Sequence, residues 1–223
     1  IKAMDIPIDI VYEDENLLIV NKEPYIIVHP TQKKVDKTLA NAVVNYFEKT
    51  LEKTLVPRFY NRLDMNTSGL IIIAKNAYTQ AFLQDKTEVK KTYKVIVSGI
   101  IEKDDFFIEL PIGKVGDDLR RIELSEENGG KSAKTHIKVL ERNREKNITF
   151  LEARLYTGRT HQIRAHLSLI GHPLVGDELY GGDMNLAKRQ MLHAYKLEFQ
   201  NPKTLENLKV EIEIPLDMKE LLK

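Results

Sequence analysis

The stretch Asn61–Lys75 reads NRLDMNTSGLIIIAK and places Asp64 directly before small residues and an unbroken apolar run. The run from Leu70 to Ala74 favours a strand buried on both faces, because a half-exposed strand would alternate apolar and polar residues. We expect residues 67–69 (TSG) to form the turn before it. A carboxylate at the mouth of a rigid strand is well placed for catalysis, but aspartate also often caps a turn through its own backbone. From these residues alone, both interpretations of Asp64 stand.

Composition indicates an ordinary globular protein that can build a substantial core. The chain has 223 residues, 34 basic against 33 acidic, and no cysteine, which excludes disulfides and thiolate metal sites. No apolar stretch approaches the length that crosses a bilayer, and no secretory signal is present at the start, so we expect a cytoplasmic protein. Its charged clusters are typical of a solvated surface.

Hydrophobic patterning predicts an α+β fold with a mixed, mostly antiparallel sheet, because strands and helices follow one another without regular βαβ alternation. Thr38 and Asn76 are the expected helix N-caps. The predicted helices span Thr38–Lys53, Asn76–Asp85 and Thr160–Ile170. The predicted strands span Leu17–Asn21, Ile26–Val28, Leu70–Ala74, Lys91–Ser98, Lys134–Leu140, Ile148–Tyr156 and Leu208–Ile214.

The glycine- and charge-rich stretch Gly113–Lys131 is predicted to be a mobile loop. It contains four glycines and little that could be buried. Alternatively, Arg120 and Arg121 within it grip a phosphate backbone when a partner arrives, as flexible basic segments can.

A second dense region, Leu155–Gly181, reads LYTGRTHQIRAHLSLIGHPLVGDELYG and turns a strand into a helix. The helix start offers free backbone N–H groups to an anion. On this helix His161, Arg164 and Ser168 share a polar face opposite an apolar one. If Arg164 approaches Asp64, it would keep that carboxylate ionised and oriented.

Histidines invite the alternative of a metal-dependent hydrolase. His161 and His166 are five residues apart, however, and do not share a helical face as the i, i+4 pair of a zinc helix does. We therefore expect no metal site. His29 and His172, each before a proline, are expected to be loop residues bonded to backbone.

Tyr93 is flanked by Lys90, Lys91 and Lys94. An aromatic side chain among cations is suited to stack an unpaired base beside a phosphate, although a tyrosine on a strand is also commonly a core residue. Both interpretations of Tyr93 are open.

Five ordered segments together resemble the RluA-type pseudouridine synthases, which include the ribosomal large subunit enzymes. They cover nearly the whole chain, and five motifs in order are far more specific than any one. The segments are LLIVNKEPYIIVHP (17–30), NRLDMNTSGLIIIAK (61–75), KKTYKVIVSG (90–99), TGRTHQIRAHLSLIGHPLVGDELYG (157–181) and LHAYKLEF (192–199).

This resemblance implies the pseudouridine synthase fold with a central active-site cleft, and an isomerase that detaches uridine in RNA at its N1–C1′ bond, turns the base over and rejoins it through C5. No cofactor or metal is needed. One carboxylate suffices where hydrolytic glycosidases use two, because the uracil leaves as a delocalised anion and is recaptured.

Residue roles also follow from the resemblance. Asp64 would be the catalytic aspartate, acting at C1′ of the ribose, at C6 of the base or through deprotonation of the ribose. Arg164 would pair with Asp64, and Tyr93 would stack on the target base and help remove the C5 proton. Arg62 would enter the RNA stack and hold the target base outside it. Thr67, Arg159 and His161 would bind the RNA.

Two positions depart from the family pattern: Asn61 is more often histidine, and Asn66 is often aspartate. A catalytically impaired RNA-binding protein on the same fold is therefore an alternative. We expect large-subunit ribosomal RNA as the substrate, with transfer RNA as the alternative, and a monomer. Residues 1–223 would form a single catalytic domain. Because the chain starts at Ile1, residues 1–10 would be a linker from a missing N-terminal RNA-binding module.

Overall fold

The order of elements mixes short helices with longer runs of strand. The computed structural model describes residues 1–31, 37–51 and 55–223. The helices are α1 (Leu39–Leu51), α2 (Ala77–Asp85), α3 (Gln162–Leu169) and α4 (Leu216–Leu222). The strands are β1 (Asp9–Glu13), β2 (Leu17–Lys22), β3 (Arg58–Phe59), β4 (Ser68–Ala74), β5 (Lys90–Ser98), β6 (Asp105–Glu109), β7 (Ile112–Gly113), β8 (Ile122–Glu123), β9 (Lys134–Asn143), β10 (Ile148–Leu155), β11 (Leu192–Gln200) and β12 (Asn207–Glu211).

The chain divides into two compact units. The first comprises Ile1–Val89 and Lys196–Ile212, and the second comprises Lys90–Tyr195 and Glu213–Lys223. Strand pairs within each unit are antiparallel, in agreement with the α+β class and the mostly antiparallel sheet expected from the sequence. The single catalytic domain stays a prediction.

In the first unit, β2 pairs with both β1 and β4, and β4 also pairs with β3. Every residue of β4 is buried, as its unbroken apolar sequence predicts. Apolar side chains of β2, β4, α2, β11 and β12 form one core cluster, in which Ile72 and Leu83 are fully buried. The head of β4, where Asp64 lies nearby in sequence, is therefore held by a rigid core.

The helices of the first unit begin where their caps predict. Thr38 Oγ1 accepts from the N–H of Asn41 at 3.3 Å, and Asn41 Oδ1 accepts from the N–H of Thr38 at 3.1 Å, a reciprocal cap. Asn76 Oδ1 accepts from the N–H of Thr79 at 2.8 Å. The predicted end of the first helix, Lys53, lies outside the described residues.

The predicted strand Ile26–Val28 was wrong. These residues are irregular, and the carbonyls of Ile27 and Val28 accept from the N–H groups of Leu39 and Ala40 at the start of α1. Their backbone groups therefore complete a helix terminus. The N-terminal residues also meet α1, since Asn41 Nδ2 donates to the carbonyl of Lys2 at 2.7 Å.

In the second unit the strand order is β5-β10-β9-β6, and each neighbouring pair is antiparallel. Helix α4 packs against this part of the sheet through Met218 and Leu221, which join Ile96 and Ile148 in a core cluster. The expected loop Gly113–Lys131 is more ordered than predicted. It contains β8, which pairs with β7 at the start of the segment, and a 3-10 turn at Glu126–Asn128.

Gly130 allows two parts of that segment to pack closely against each other. A Cβ on Gly130 would lie 1.7 Å from the carbonyl oxygen of Leu124, so only glycine permits this close backbone approach. Among the described residues, no helix is both long and apolar enough to cross a membrane.

Candidate active site

Asp64 opens a tight turn at the head of β4. The N–H of Thr67 donates to the carbonyl of Asp64 at 3.0 Å, which closes the turn over residues 64–67. The predicted turn at residues 67–69 was misplaced, because Ser68 and Gly69 already belong to β4. Asp64 is half-buried, and the buried Leu63 anchors the chain beside it. The turn thus gives the carboxylate a fixed backbone and a partly open side.

A buried lysine supports this turn. Lys22 is 1% exposed, and its ammonium donates to the backbone carbonyls of Glu23 at 2.8 Å, Ile26 at 2.9 Å and Met65 at 3.0 Å. The positive charge is compensated by these dipoles, as a buried ammonium requires. It ties the residue that follows Asp64 to the end of β2.

Asn61, the position that departs from the family pattern, has a structural partner. Its Oδ1 accepts from the N–H of Ile72 at 2.9 Å, and its Nδ2 donates to the carbonyl of Leu70 at 3.2 Å. The carboxamide therefore binds the backbone of β4 as a neighbouring strand would. Tyr60 extends the same edge, since its N–H donates to the carbonyl of Ile72 at 2.9 Å.

Arg62 and Thr67 lie on either side of Asp64 and differ in exposure. Arg62 is exposed, as a side chain that enters an RNA stack must be. Its charge reaches His29: burial lowers the pKa of His29, and the Arg62 guanidinium lowers it further. Thr67 is 1% exposed. Its backbone N–H closes the turn at Asp64. Contact of Thr67 with RNA stays a prediction.

The remaining predicted site residues belong to the second unit. Tyr93 lies on β5 opposite Ala153 of β10 and is 7% exposed. Nearby Lys91 is partly buried, and burial lowers its pKa. The Lys91 ammonium lies beside Gly158, because a Cβ there would be 3.7 Å from it.

Gln162 organises the loop that leads into α3. Its Oε1 accepts from Thr157 Oγ1 at 2.8 Å and from the N–H of Arg159 at 3.0 Å. Its Nε2 donates to the carbonyl of Lys134 at 3.1 Å and to Thr135 Oγ1 at 3.0 Å. This buried amide therefore joins the loop to β9. Arg159 itself is exposed.

Helix α3 begins at Gln162, two residues later than predicted, because His161 has a left-handed backbone with φ 55°. His161 Nδ1 lies 3.0 Å from the Tyr180 hydroxyl oxygen. That oxygen accepts from the N–H of Arg121 at 2.8 Å, which leaves the hydroxyl proton for His161 Nδ1. Tyr180 stays protonated, since burial raises its pKa.

Arg164 is buried and forms an ion pair with Asp177. Its Nε donates to Asp177 Oδ2 at 2.7 Å, and its Nη2 donates to Oδ1 at 2.8 Å. The guanidinium carbon also lies 5.0 Å from the centre of the Tyr180 ring. The expected polar face of the helix is therefore buried at Arg164, with its charge balanced. The pairing of Arg164 with Asp64 stays a prediction.

His166 and His172 of the second unit lie within hydrogen-bond distance of hydroxyl and backbone carbonyl oxygens. His166 is fully buried between Thr135 Oγ1 and the carbonyl of Leu110, both at 2.9 Å, and burial lowers its pKa. His172 lies 2.9 Å from the carbonyl of Ser98, as expected for a loop residue bonded to backbone. Over the described parts of the chain, no group of three potential ligands is arranged to hold a metal ion.

Sequence reasoning missed Lys22, Gln162 and Asp177. Lys22 ends an apolar strand in NKEP, where a buried charge is unexpected. Gln162 and Asp177 stand inside the quoted segment 157–181. A charged residue at the end of an otherwise apolar strand is the signal that could have identified Lys22.

Comparison with known proteins decides the family. A family model described as RNA pseudouridylate synthase matches residues 16–169. The chain belongs to this family. It is 36% identical over 99% of its length to the Uncharacterized RNA pseudouridine synthase YjbO of Bacillus subtilis, covering 77% of that protein. It is 38% identical over 99% of its length to Ribosomal large subunit pseudouridine synthase D of Vibrio cholerae, covering 71% of that protein.

Solved structures agree with this membership. Human RNA Pseudouridylate Synthase Domain Containing 1 matches 93% of the chain with a TM-score of 0.74 and 27% identity, and 83% of the human chain is covered. Human RNA Pseudouridylate Synthase Domain Containing 4 shares the fold, with a TM-score of 0.77 over 96% of this chain and 91% of its own, at 21% identity. The pseudouridine synthase fold predicted from sequence is confirmed. This synthase is an isomerase that acts on uridine in RNA.

Proposed function

We propose that this synthase isomerises uridine in large-subunit ribosomal RNA, with Asp64 as its catalytic aspartate. The observation that supports this proposal most strongly is the environment of Asp64. Its carboxylate is half-buried on a closed turn. Buried Lys22 binds the carbonyl of Met65, and Asn61 binds the backbone of β4. Such preorganisation suits a group that must meet one reacting atom.

The reaction exchanges one bond of uridine for another and adds no atoms to the nucleoside. The C1′–N1 bond breaks, the uracil turns over as a delocalised anion, the C1′–C5 bond forms, the C5 proton leaves to a base, and N1 gains a proton. Asp64 acts at C1′, at C6 or by removing a ribose proton, and each route uses a single carboxylate. Tyr93 stacks on the base and assists loss of the C5 proton.

Arg164 keeps Asp64 ionised and oriented, and Asp177 positions Arg164. The two bonds that Arg164 donates to Asp177 fix the position of this guanidinium. Arg62 holds the extruded base outside the stack. Arg159, His161 and Thr67 bind the RNA or hold the segments that do.

Asn61 gives no support to an impaired enzyme. Its carboxamide binds the N–H of Ile72 and the carbonyl of Leu70, so Asn61 supports the backbone of β4. Asparagine at this position therefore removes no group that reacts.

Ribosomal RNA is proposed because relatives such as the Vibrio cholerae protein carry that substrate in their names. The test incubates the synthase with unmodified large-subunit ribosomal RNA and with a transfer RNA pool, followed by pseudouridine mapping. We expect new pseudouridine at defined sites in the ribosomal RNA. Modification confined to transfer RNA would overturn the substrate assignment while leaving the reaction class intact.

A further inference from the structure

The second unit carries an aromatic and basic surface outside the predicted active site. It lies on one face of β6, β9 and β10, in two cross-strand rows. Phe107, His136 and Arg154 form one row. Glu109, Lys134 and Tyr156 form the next, since the N–H of Tyr156 donates to the carbonyl of Lys134 at 3.1 Å. We call these six residues the aromatic surface.

Its two large rings are open to solvent. Phe107 is 47% exposed and Tyr156 is 45% exposed, although burying such side chains is favourable. Their ring centres are 5.7 Å apart in an edge-to-face arrangement, and the His136 ring lies 4.8 Å from Phe107. An exposed aromatic cluster on a polar sheet face indicates a binding surface.

Cations accompany these rings. Lys134 Nζ lies 4.5 Å from the centre of Phe107 and 5.9 Å from that of Tyr156, and Arg154 Cζ lies 4.8 Å from Tyr156. Two acids are also present: Glu109 pairs with Lys134 at 2.7 Å, and Asp105 lies 2.7 Å from His136. The Glu109 pair is well exposed, and exposed pairs are worth only about 0–1 kcal/mol. A phosphate can therefore compete for Lys134.

Position links this surface to the predicted RNA-binding loop. Tyr156 directly precedes Thr157, and Arg159 Nε donates to the carbonyl of Ser132 at 2.9 Å, close in sequence to Lys134. RNA held by the loop at residues 157–161 has the aromatic surface beside it.

We propose that the aromatic surface binds a single-stranded segment of the RNA that flanks the target uridine. Unpaired bases stack on Phe107 and Tyr156, and adjacent phosphates contact Lys134 and Arg154, as on other open sheet surfaces that bind single strands. The two rings with cations over them favour RNA over an apolar protein partner. This inference deepens the proposed function and rests on the synthase acting on RNA.

The test measures binding of fluorescein-labelled oligouridine RNA by anisotropy. The double variant Phe107→Leu with Tyr156→Leu keeps apolar bulk and removes both rings, and should bind about tenfold more weakly than wild type. Lys134→Gln should reduce the slope of log affinity against log salt by about 0.7. Tyr78→Leu, at a 67% exposed tyrosine on α2, is the matched control and should bind as wild type does.

Equal oligouridine affinity of wild type and the double variant, with unchanged far-ultraviolet circular dichroism, would overturn the proposal. If the double variant does not fold, Phe107→Tyr with Tyr156→Phe, which keeps both rings, and the single leucine variants repeat the comparison. Loss in the leucine variants and retention in the ring-keeping variant support stacking. If wild type binds oligouridine but modifies no ribosomal RNA, the substrate proposal fails while the aromatic surface stands.

Discussion

Asn61 shows how one side chain can serve a site without entering its chemistry. Its amide oxygen and nitrogen meet the N–H of Ile72 and the carbonyl of Leu70, so the turn at Asp64 begins from a fixed strand edge. A carboxamide presents a donor and an acceptor on one carbon, which matches the alternating groups of a strand. Histidine carries its two nitrogens on opposite sides of a ring and would bind this edge differently.

We predict that Asn61→Asp destabilises the synthase. The change keeps the acceptor toward Ile72 but places a second acceptor against the Leu70 carbonyl, so one hydrogen bond is replaced by repulsion. The free energy of unfolding should fall by about 1–3 kcal/mol. Urea unfolding followed by circular dichroism measures this. The same change at exposed Asn147 should have little effect, and equal stability of both variants would contradict the assigned role.

At the scale of the element, the start of α3 is held by Gln162 rather than by a standard cap. The amide binds Thr157, the N–H of Arg159, Lys134 and Thr135, so a flexible loop takes one conformation. This arrangement keeps Arg159 beside β9 before any RNA arrives. Preorganisation of this kind reduces the entropy lost on binding.

Gln162→Leu should therefore weaken RNA binding more than it slows the chemical step. Loss of four hydrogen bonds frees the loop, and we expect KM to rise about tenfold with a smaller change in kcat. Steady-state pseudouridine formation at varied RNA concentration separates the two parameters. Gln80→Leu, on α2 of the first unit, is the control. An unchanged KM in Gln162→Leu would show that the loop does not depend on this amide.

Elements with their own sequence signal were predictable. Strand β4 follows from five consecutive apolar residues, and α2 from Asn76 as its cap. Ile26–Val28 carries a similar apolar signal, yet its carbonyls bind the start of α1 and no strand forms. Local pattern does not contain that distant partner.

The candidate site residues also differ in whether the local sequence or a distant contact determines their role. Asp64 was visible because a carboxylate stands before a buried strand. Lys22 was not, since its role depends on the carbonyl of Met65 far along the chain. Arg164 was identified, but its partner Asp177 was not, because the return of the chain after α3 brings them together. Contacts distant in sequence were the part that residue patterns could not supply.

Across the whole molecule, buried histidines set the response to acid. Burial lowers the pKa of His193 to about 4, and its Nε2 lies 2.9 Å from the carbonyl of Glu213. Burial also lowers the pKa of His166 and of His29. Each histidine binds protons more readily in the unfolded chain. Their contribution to stability is complete above about pH 6.5 and is lost as pH falls toward the folded pKa.

We predict that the free energy of unfolding falls between pH 7 and pH 5, with His193 contributing about 2 kcal/mol of that change. His193→Gln should flatten the dependence, because glutamine does not titrate and can still donate to Glu213. Urea unfolding at both pH values gives the comparison. An equally steep pH dependence in His193→Gln would contradict the assignment.

The central claim is that this synthase forms pseudouridine through Asp64. Its most direct measurement is pseudouridine formation in unmodified large-subunit ribosomal RNA by wild type, Asp64→Asn and Asp85→Asn, with RNA binding followed in parallel. Asp85 is exposed at the end of α2 and serves as the matched control. We expect wild type and Asp85→Asn to form pseudouridine, and Asp64→Asn to bind RNA without product. Product formed by Asp64→Asn at the wild-type rate would contradict the account.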